Sequence, residues 1–255
     1  MTVAVTKKQL AFLKADATEV LFGGAAGGGK SYGQLVDALR YAVRYPCSKQ
    51  LILRRTYAEL EKSLIRTSLG LYPKDIYSYN ASQHTGKFKN GSLIDFGYCA
   101  TENDVFQYQS AEYDVIRFDE LTHFTEFQYI YLISRLRGTS GYPKQVKSST
   151  NPGGVGHVWV KERFIDPAPP ETLFFAGDTS RLFIPSRIDD NHFLTAGDPD
   201  YKKRLLHLPE SQRRALLYGD WNIFEGQYFH EFAEHLHVCD PFPIPDSWRR
   251  FRSID

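Results

Sequence analysis

The chain has 255 residues, 42% of them apolar, enough for one large domain with a full core or for a domain with a small appendage. Its 31 Lys and Arg against 30 Asp and Glu leave a net charge of +1, which excludes a polybasic nucleic-acid tail and an acidic solvating tail, so any nucleic-acid contact must be a local patch. No apolar run approaches the roughly 20 residues of a membrane span, the start MTVAVTKKQL lacks the apolar core of a secretory signal, and Cys47, Cys99 and Cys239 are too few and too scattered for a disulfide framework; a soluble intracellular protein is expected.

In chain order, Glu19 to Phe22 is a short apolar run that meets glycines at once, and Tyr32 to Tyr45 carries helical spacing through Leu35, Val36, Leu39 and Val43: strand, loop, helix. Leu51 to Leu53 reads as a second strand. Thr56 and Glu59, three apart, can form a capping box for a helix over Leu60 to Leu69. Lys87 to Phe96 sets Asn90-Gly91 between alternating apolar positions, the signal of a hairpin with a type I′ turn. Asp114 to Phe118 and Gln145 to Thr150 are further strands, with a helix over Glu126 to Arg137 between them. Alternating strands and helices predict an α/β fold with a central, mainly parallel sheet, an antiparallel hairpin addition, and a ligand at the carboxyl ends of the strands. Past Pro167 to Pro170 the pattern gives a strand at Thr172 to Phe175 and helices across Tyr201 to Tyr218, a small lid-like helical subdomain around 190–220. Pro241, Pro243 and Pro245 read as a linker, and Arg249 to Ile254 begins a new strand.

The chemistry sits in two places. Gly24-Ala25-Ala26-Gly27-Gly28-Gly29-Lys30-Ser31 satisfies G-x-x-x-x-G-K-[ST], with a strand before it and a helix after it. Small residues let successive backbone N–H groups turn toward a β-phosphate; Lys30 neutralises the β- and γ-phosphates and the Ser31 hydroxyl ligates Mg²⁺. An accidental Gly-rich turn is the competing reading, and the flanking elements argue against it. The second place is Tyr113 to Glu120, an apolar strand ending in two carboxylates: Asp119 is assigned to Mg²⁺ through water and Glu120 to polarising the attacking water. Such a pair alone is as often a helix cap as a catalytic device; the phosphate loop in the same chain favours catalysis.

FGGAAGGGKS at 22–31, LILRRTYAEL at 51–60, EYDVIRFDELTHF at 112–124, LISRLRG at 132–138, SSTNPGGVGHVWVKERFI at 148–165 and RRALLYGDW at 213–221 together resemble the large terminase subunits of tailed bacteriophages and prophages, the ATP-driven motors that pump DNA into empty capsids. The resemblance implies that residues 1–240 form a P-loop ATPase domain, with 241–255 as linker and first strand of a nuclease domain. It implies that Gln9 reads adenine and that Ser149, Thr150 and Asn151 form a coupling motif sensing the γ-phosphate. Independently, a strand ending at Thr150 brings Thr150 and Asn151 to the sheet edge of Asp119, although Asn-Pro-Gly is also simply a good turn sequence.

Many terminases carry an arginine inside the phosphate loop, where this chain has Ala25 and Ala26. The charge must then come from elsewhere, with Arg135 and Arg137 as first candidates for an arginine finger, in cis or trans, and Arg213 and Arg214 next. Residues at i and i+2 of a helix do not share a face, so at most one of Arg135 and Arg137 serves a given site. The family also has a ribonuclease H-type nuclease; the sequence stops at Asp255, where its first metal-binding aspartate falls, and no nuclease activity is expected of this chain. His230 to His235 mimics a zinc-protease helix but its histidines are at i and i+5, so neither it nor His237 and Cys239 is assigned a metal.

The resemblance implies double-stranded DNA, a portal protein and a small terminase subunit as partners, a homo-oligomeric ring when assembled and a monomer when isolated, no membrane association, and action in the cytoplasm of an infected or lysogenic bacterium. Lys202-Lys203-Arg204 and Arg213-Arg214 are the candidate grips on DNA phosphates, or else solvated helix faces. The alternatives are a helicase-like remodelling ATPase, separable by strand-separation assays, and a nucleotide-gated portal-binding module with little turnover.

Overall fold

The computed structural model describes residues 3–223, 237–245 and 247–249. His230, His235, most of the strand expected at Arg249 to Ile254, and Asp255 lie outside the described residues. The chain divides into two units, Met1–Glu225 and Gly226–Asp255. Within the second, Pro241 to Pro245 is exposed and without regular structure.

In the first unit, α1 (Lys7–Lys14) starts from a capping box in which Thr6 and Gln9 satisfy each other's backbone N–H groups. β1 (Glu19–Gly24) is buried along its whole length, as a central strand must be, and the glycine loop leads into α2 (Lys30–Arg44). β2 (Lys49–Arg54) is followed by α3 (Tyr57–Leu60), whose Thr56 cap accepts from the Glu59 N–H; α3 runs through a π turn, Glu61–Ile65, into α4 (Arg66–Leu71). Then come β3 (Tyr77–Asn80), β4 (Thr85–Phe88) and β5 (Leu93–Tyr98), β6 (Val115–Asp119), α5 (Glu126–Ile133) and β7 (Gln145–Thr150). The rest is α6 (His157–Val160), β8 (Phe174–Ala176), β9 (Thr179–Ser186), α7 (His192–Gly197), α8 (Tyr201–Leu206) and α9 (Glu210–Arg213), the last continued by a π turn, Arg214–Tyr218.

The sheet order is β3-β4-β5-β2-β6-β7-β1-β9-β8. The six strands from β5 to β9 are parallel; β3 and β4 add antiparallel strands at one edge and β8 at the other. The predicted hairpin joins β4 to β5, but its turn is not type I′. Gly91 N–H bonds Phe88 O at 2.9 Å and Gly91 has φ +87°, while Asn90 keeps a negative φ, the three-residue form with one left-handed glycine. The reason is tertiary: Asn90 donates to Ala42 O at 2.8 Å and accepts from Cys47 N–H at 3.2 Å, which fixes its conformation. A second difference is α5, which ends at Ile133 instead of Arg137.

Beneath the sheet edge that carries the loop, Asp37 of α2 is buried between two cations. Arg117 of β6 donates to it at 2.6 Å and Lys147 of β7 at 3.1 Å, while Gln50 of β2 accepts from Arg117. Burial pushes the Asp37 carboxyl up, but Arg117 and Lys147 together outweigh it and hold the group below its ordinary value; burial lowers Lys147, opposed by Asp37. Asp37→Ala leaves two like charges buried without their counter-ion and should cost about 3–5 kcal/mol, read as a lower denaturant midpoint at unchanged slope. Because the folded value of Asp37 lies below the unfolded one, its contribution is complete above the ordinary value of 3.8 and is lost as pH falls through the folded value; acid titration of stability should show that component in the parent and lack it in the variant.

Candidate nucleotide site

The loop after β1 is held open by the far side of the fold. Ala25 N–H bonds Ser186 O at 2.9 Å and Ala26 N–H bonds Leu216 O at 2.7 Å. Ser186 Oγ donates to Gly28 O, Asn191 Nδ2 to Gly27 O and Gln9 Nε2 to Gly29 O, at 2.7–3.0 Å. The carbonyls are thereby turned outward and tied down, whereas the N–H groups of Gly27 to Ser31 take no acceptor among the described residues. Gly24, Gly27 and Gly29 have positive φ, so the loop presents consecutive free N–H groups at the N-terminus of the 15-residue helix α2, an anion-binding arrangement.

Lys30 is buried; its ammonium donates to Ala25 O at 2.5 Å and to Asn151 Oδ1 at 2.8 Å. Burial lowers its pKa, and the Glu120 and Asp119 charges oppose that. Ser31 Oγ donates to Asp119 Oδ1 at 2.9 Å, and Ser149 Oγ donates to the same oxygen at 2.6 Å. Asp119 Oδ2 is buried with no hydrogen-bond donor. Because β7 lies between β1 and β6, the residue after it falls between the lysine and the carboxylates: Asn151 Nδ2 donates to Glu120 at 3.3–3.4 Å while its carbonyl oxygen receives Lys30.

Glu120 adopts φ 59°, ψ 60°, a left-handed conformation that costs a non-glycine residue about 1–3 kcal/mol and aims its carboxylate into a cavity of about 400 Å³ lined also by Arg54, His123, Asn151 and Gln212. Burial and Asp119 raise its pKa; Lys30, His123 and Arg54 oppose the rise. A carboxylate held in a strained turn with a raised pKa is suited to accept a proton from water.

The expected residues do not all meet here. Lys30, Ser31, Asp119, Glu120 and Asn151 converge, with Gly24, Gly27, Gly28 and Gly29 forming the loop and Gln9 beside it. Gln9 lines a separate cavity of about 420 Å³ with Ala4, Tyr32, Asn191, Phe193 and Leu194. Thr150 turns away: its hydroxyl pairs with Thr122 Oγ1 at 2.8 Å and accepts from the Thr122 N–H, tying β7 to the turn after Glu120. Arg135 and Arg137 follow α5 and flank a bridge between Leu136 and Tyr113, ahead of β6. At ~3.3 Å per residue that is roughly 20 Å from Asp119, at the opposite end of the strand, so neither reaches this chain's own loop. Arg135 is bonded to Gln109 O and Ser134, and Arg137 to Ala111 O. Their expected i, i+2 relation on a helix also fails, because the helix stops at Ile133.

The candidate grips are largely neutralised: Lys202 pairs with Asp189, Lys203 with Asp200, Arg204 with Asp198 and Arg214 with Asp220. Arg54, by contrast, is at the site without being among the expected residues. It stands at the end of β2, beside β6, with Asp119 at 3.5 Å and Glu120 at 3.9 Å. The available signal is the position itself, since an arginine closing an apolar strand of a parallel sheet lies at the ligand edge.

Residues 21–235 match the family described as terminase large subunit, T4-like-virus type, N-terminal. The fold is similar to that of the large terminase from a thermophilic bacteriophage, with TM-score 0.69 and 17% identity over 86% of this chain and 54% of that one. Another structure of that terminase, in complex with ATP-γ-S, gives 0.66 and 18%, covering 86% and 53%. The Thermus phage P74-26 large terminase ATPase domain gives 0.55 and 15%, covering 85% of this chain and 93% of that one. The chain thus spans about half the length of the thermophilic-phage terminase it matches. No curated protein matches it.

A Cβ on Gly28 would come within 2.3 Å of Ser186 Oγ and 3.1 Å of its Cβ. Gly28→Ala should therefore displace the loop and weaken nucleotide binding about tenfold or more, and adding Ser186→Ala should recover part of the loss. Binding titrations of the two single variants and the double variant measure this coupling.

Proposed function

This chain belongs to the T4-like-virus type of terminase large subunits, as their N-terminal part, and we propose from that premise that it hydrolyses ATP to drive double-stranded viral DNA into a procapsid. The observation that carries the catalytic half is the single chain of contacts from Lys30 through Asn151 to Glu120, which links the phosphate loop to a carboxylate suited to activate water. The ATP-γ-S complex of the thermophilic-phage terminase and the ATPase domain of the P74-26 terminase support the same reading by their likeness.

Free N–H groups of Gly27 to Ser31 receive the β-phosphate, and Lys30 exchanges Ala25 O for phosphate oxygen. Adenine fits the cavity between Tyr32 and Phe193, with the Gln9 amide at its wall. Asp119 Oδ2 is an orphaned buried oxygen whose partner oxygen already receives Ser31, a hard-oxygen pair that fits Mg²⁺: Ser31 would ligate it directly and Asp119 through water. The bound ion supplies charge neutralisation between the phosphates. Glu120 takes a proton from water as that water's oxygen bonds to the γ-phosphorus and the bond to the bridging oxygen breaks, leaving ADP and phosphate. Asn151, touching both Lys30 and Glu120, orients the carboxylate and feels whether a γ-phosphate holds the lysine.

A homo-oligomeric ring, the portal and the small terminase subunit complete the motor in this reading, inside the bacterial cell. Arg135 and Arg137 sit at the far end of β6 from Glu120, so in this reading either one serves such a site only in trans, in a neighbouring copy. With four of the basic side chains on the helices after β9 paired to aspartates, DNA affinity of the isolated chain should be low.

Glu120→Gln should lower ATP turnover at least about a hundredfold while leaving nucleotide affinity within a few-fold, measured by phosphate release and by binding titration. In the parent, turnover should fall with acidity on a limb above the ordinary carboxylate range, because the raised pKa of Glu120 must be exceeded for it to accept a proton. An unchanged rate in Glu120→Gln would put the chemistry elsewhere. Translocation of duplex without strand separation by the portal-assembled motor tests the other half.

A further inference from the structure

Arg54 is held between two sets of partners without being bonded to the one that matters. Its Nη1 donates to Ser63 Oγ at 2.6 Å, in the π turn between α3 and α4. Its Nε faces Asp119 Oδ2 at 3.5 Å and Glu59 Oε2 at 4.0 Å, and Nη2 faces Glu120 Oε1 at 3.9 Å. A guanidinium usually meets a carboxylate as a fork at about 2.7–2.9 Å. Here Arg54 Nε, Glu59 Oε2 and Asp119 Oδ2 are all buried and all without a hydrogen-bond partner. The two oxygens of Asp119 are thus treated differently: Oδ1 is fastened by Ser31 and Ser149, and Oδ2 is left bare with a cation standing just beyond bonding distance.

That arrangement suits a site that must hold its carboxylates ready without closing it to a metal. Asp119 is 1% exposed in its side chain and Glu120 19%, so two adjacent negative charges need balancing before any ion arrives. The facing basic groups are Lys30 from α2, His123 from the turn after β6, and Arg54 from β2; Glu59 of α3 faces Arg54 from behind. Lys30 is committed to Ala25 and Asn151. Arg54 alone among these lies against Asp119 Oδ2, and it also lines the cavity into which it can withdraw, tethered by Ser63.

We propose that Arg54 is a placeholder cation, a positioning residue that balances Asp119 and Glu120 in the metal-free site and yields Asp119 Oδ2 when Mg²⁺ and its water shell arrive with nucleotide. This rests on the ATPase reading above. Its consequence is asymmetric. Without metal, Arg54 shields an incoming triphosphate from two carboxylates; with metal, it competes with the ion for one of them.

The test is the affinity of the full chain for a fluorescent, non-hydrolysable ATP analogue, measured in EDTA and across a MgCl₂ titration. Arg54→Gln should bind the analogue about three- to tenfold more weakly in EDTA, within about twofold of the parent at saturating Mg²⁺, and should reach half-saturation at about threefold lower Mg²⁺. Arg54→Lys, which keeps the charge, should stay close to the parent. Melting temperatures check folding, and Arg54→Met, which keeps the apolar stem, replaces the glutamine variant if that one does not fold. An equal loss with and without Mg²⁺, the mark of a merely structural arginine, or no change in either condition, overturns the proposal. A parent chain that binds no nucleotide even with Mg²⁺ sinks the ATPase reading itself, and this inference with it.

Discussion

The geometry of the site depends on one buried carboxylate that is not in it. Asp37 lies two helical turns along α2 from Lys30, and it takes Arg117 from β6 and Lys147 from β7 at once. Those two strands end in Asp119 and in Thr150, two and three residues further on. A helix resting on a sheet by apolar contacts alone can slide by fractions of a turn at modest cost, because such contacts are non-directional. A carboxylate that accepts from both strands in a medium where an unpaired charge is costly has no such freedom. The helix that presents Lys30 and Ser31 is thereby registered against the strands that present Asp119 and Asn151, and the 2.6–2.9 Å contacts around Asp119 Oδ1 follow from that register.

Strand order does the rest. With β7 inserted between β1 and β6, the loop and the acidic strand are not neighbours, and the gap between Lys30 and Glu120 is filled by whatever follows β7. A residue there needs both a donor and an acceptor on one side chain to touch an ammonium and a carboxylate together, which an amide supplies and a hydroxyl supplies only at shorter reach. Asn151 meets that requirement; Thr150 faces the turn after Glu120 instead and braces its left-handed backbone through Thr122. The strain at Glu120 is thus supported by the same strand whose following residue, Asn151, accepts from Lys30.

How much of this is legible in the sequence follows from which signals are local. The phosphate loop, the acidic strand and the strand–helix alternation are readable because each is a contiguous pattern with its own physical meaning. The hairpin is readable but not its turn, since Asn90 is bound to Ala42 and Cys47 from elsewhere in the fold. β9 carries no such signal: Thr179–Ser186 ends in Pro185-Ser186 and shows no clean alternation, yet it pairs in parallel with β1 and supplies Ser186 to the loop. For Arg135 and Arg137 the apolar spacing suggests a helix four residues longer than the one that forms, which also hides that they fall at the far end of β6. The place of Arg54 at the end of an apolar strand is legible, but its closeness to Asp119 comes from β2 lying beside β6, a pairing no single segment encodes.

Several side chains around the loop are already bonded within the chain, and that bears on how such a domain can couple chemistry to motion. Lys30 commits its donors to Ala25 and Asn151, and Gln9 commits its amide to Thr6 and Gly29. The loop leans on Ser186, Asn191 and Leu216, all beyond β8 in the chain. In the proposed reading the free N–H groups of Gly27 to Ser31 meet phosphate without giving up a bond, whereas Lys30 exchanges an existing bond for a new one, which lowers net affinity but makes that exchange a mechanical event. In that reading Lys30 gives up Ala25 O and keeps Asn151, so its displacement is passed to the residue that follows β7. Any shift of the loop is likewise passed through its hydrogen bonds to the end of β9 and the helical segment after it. A lysine with no prior partners would bind more tightly and transmit less.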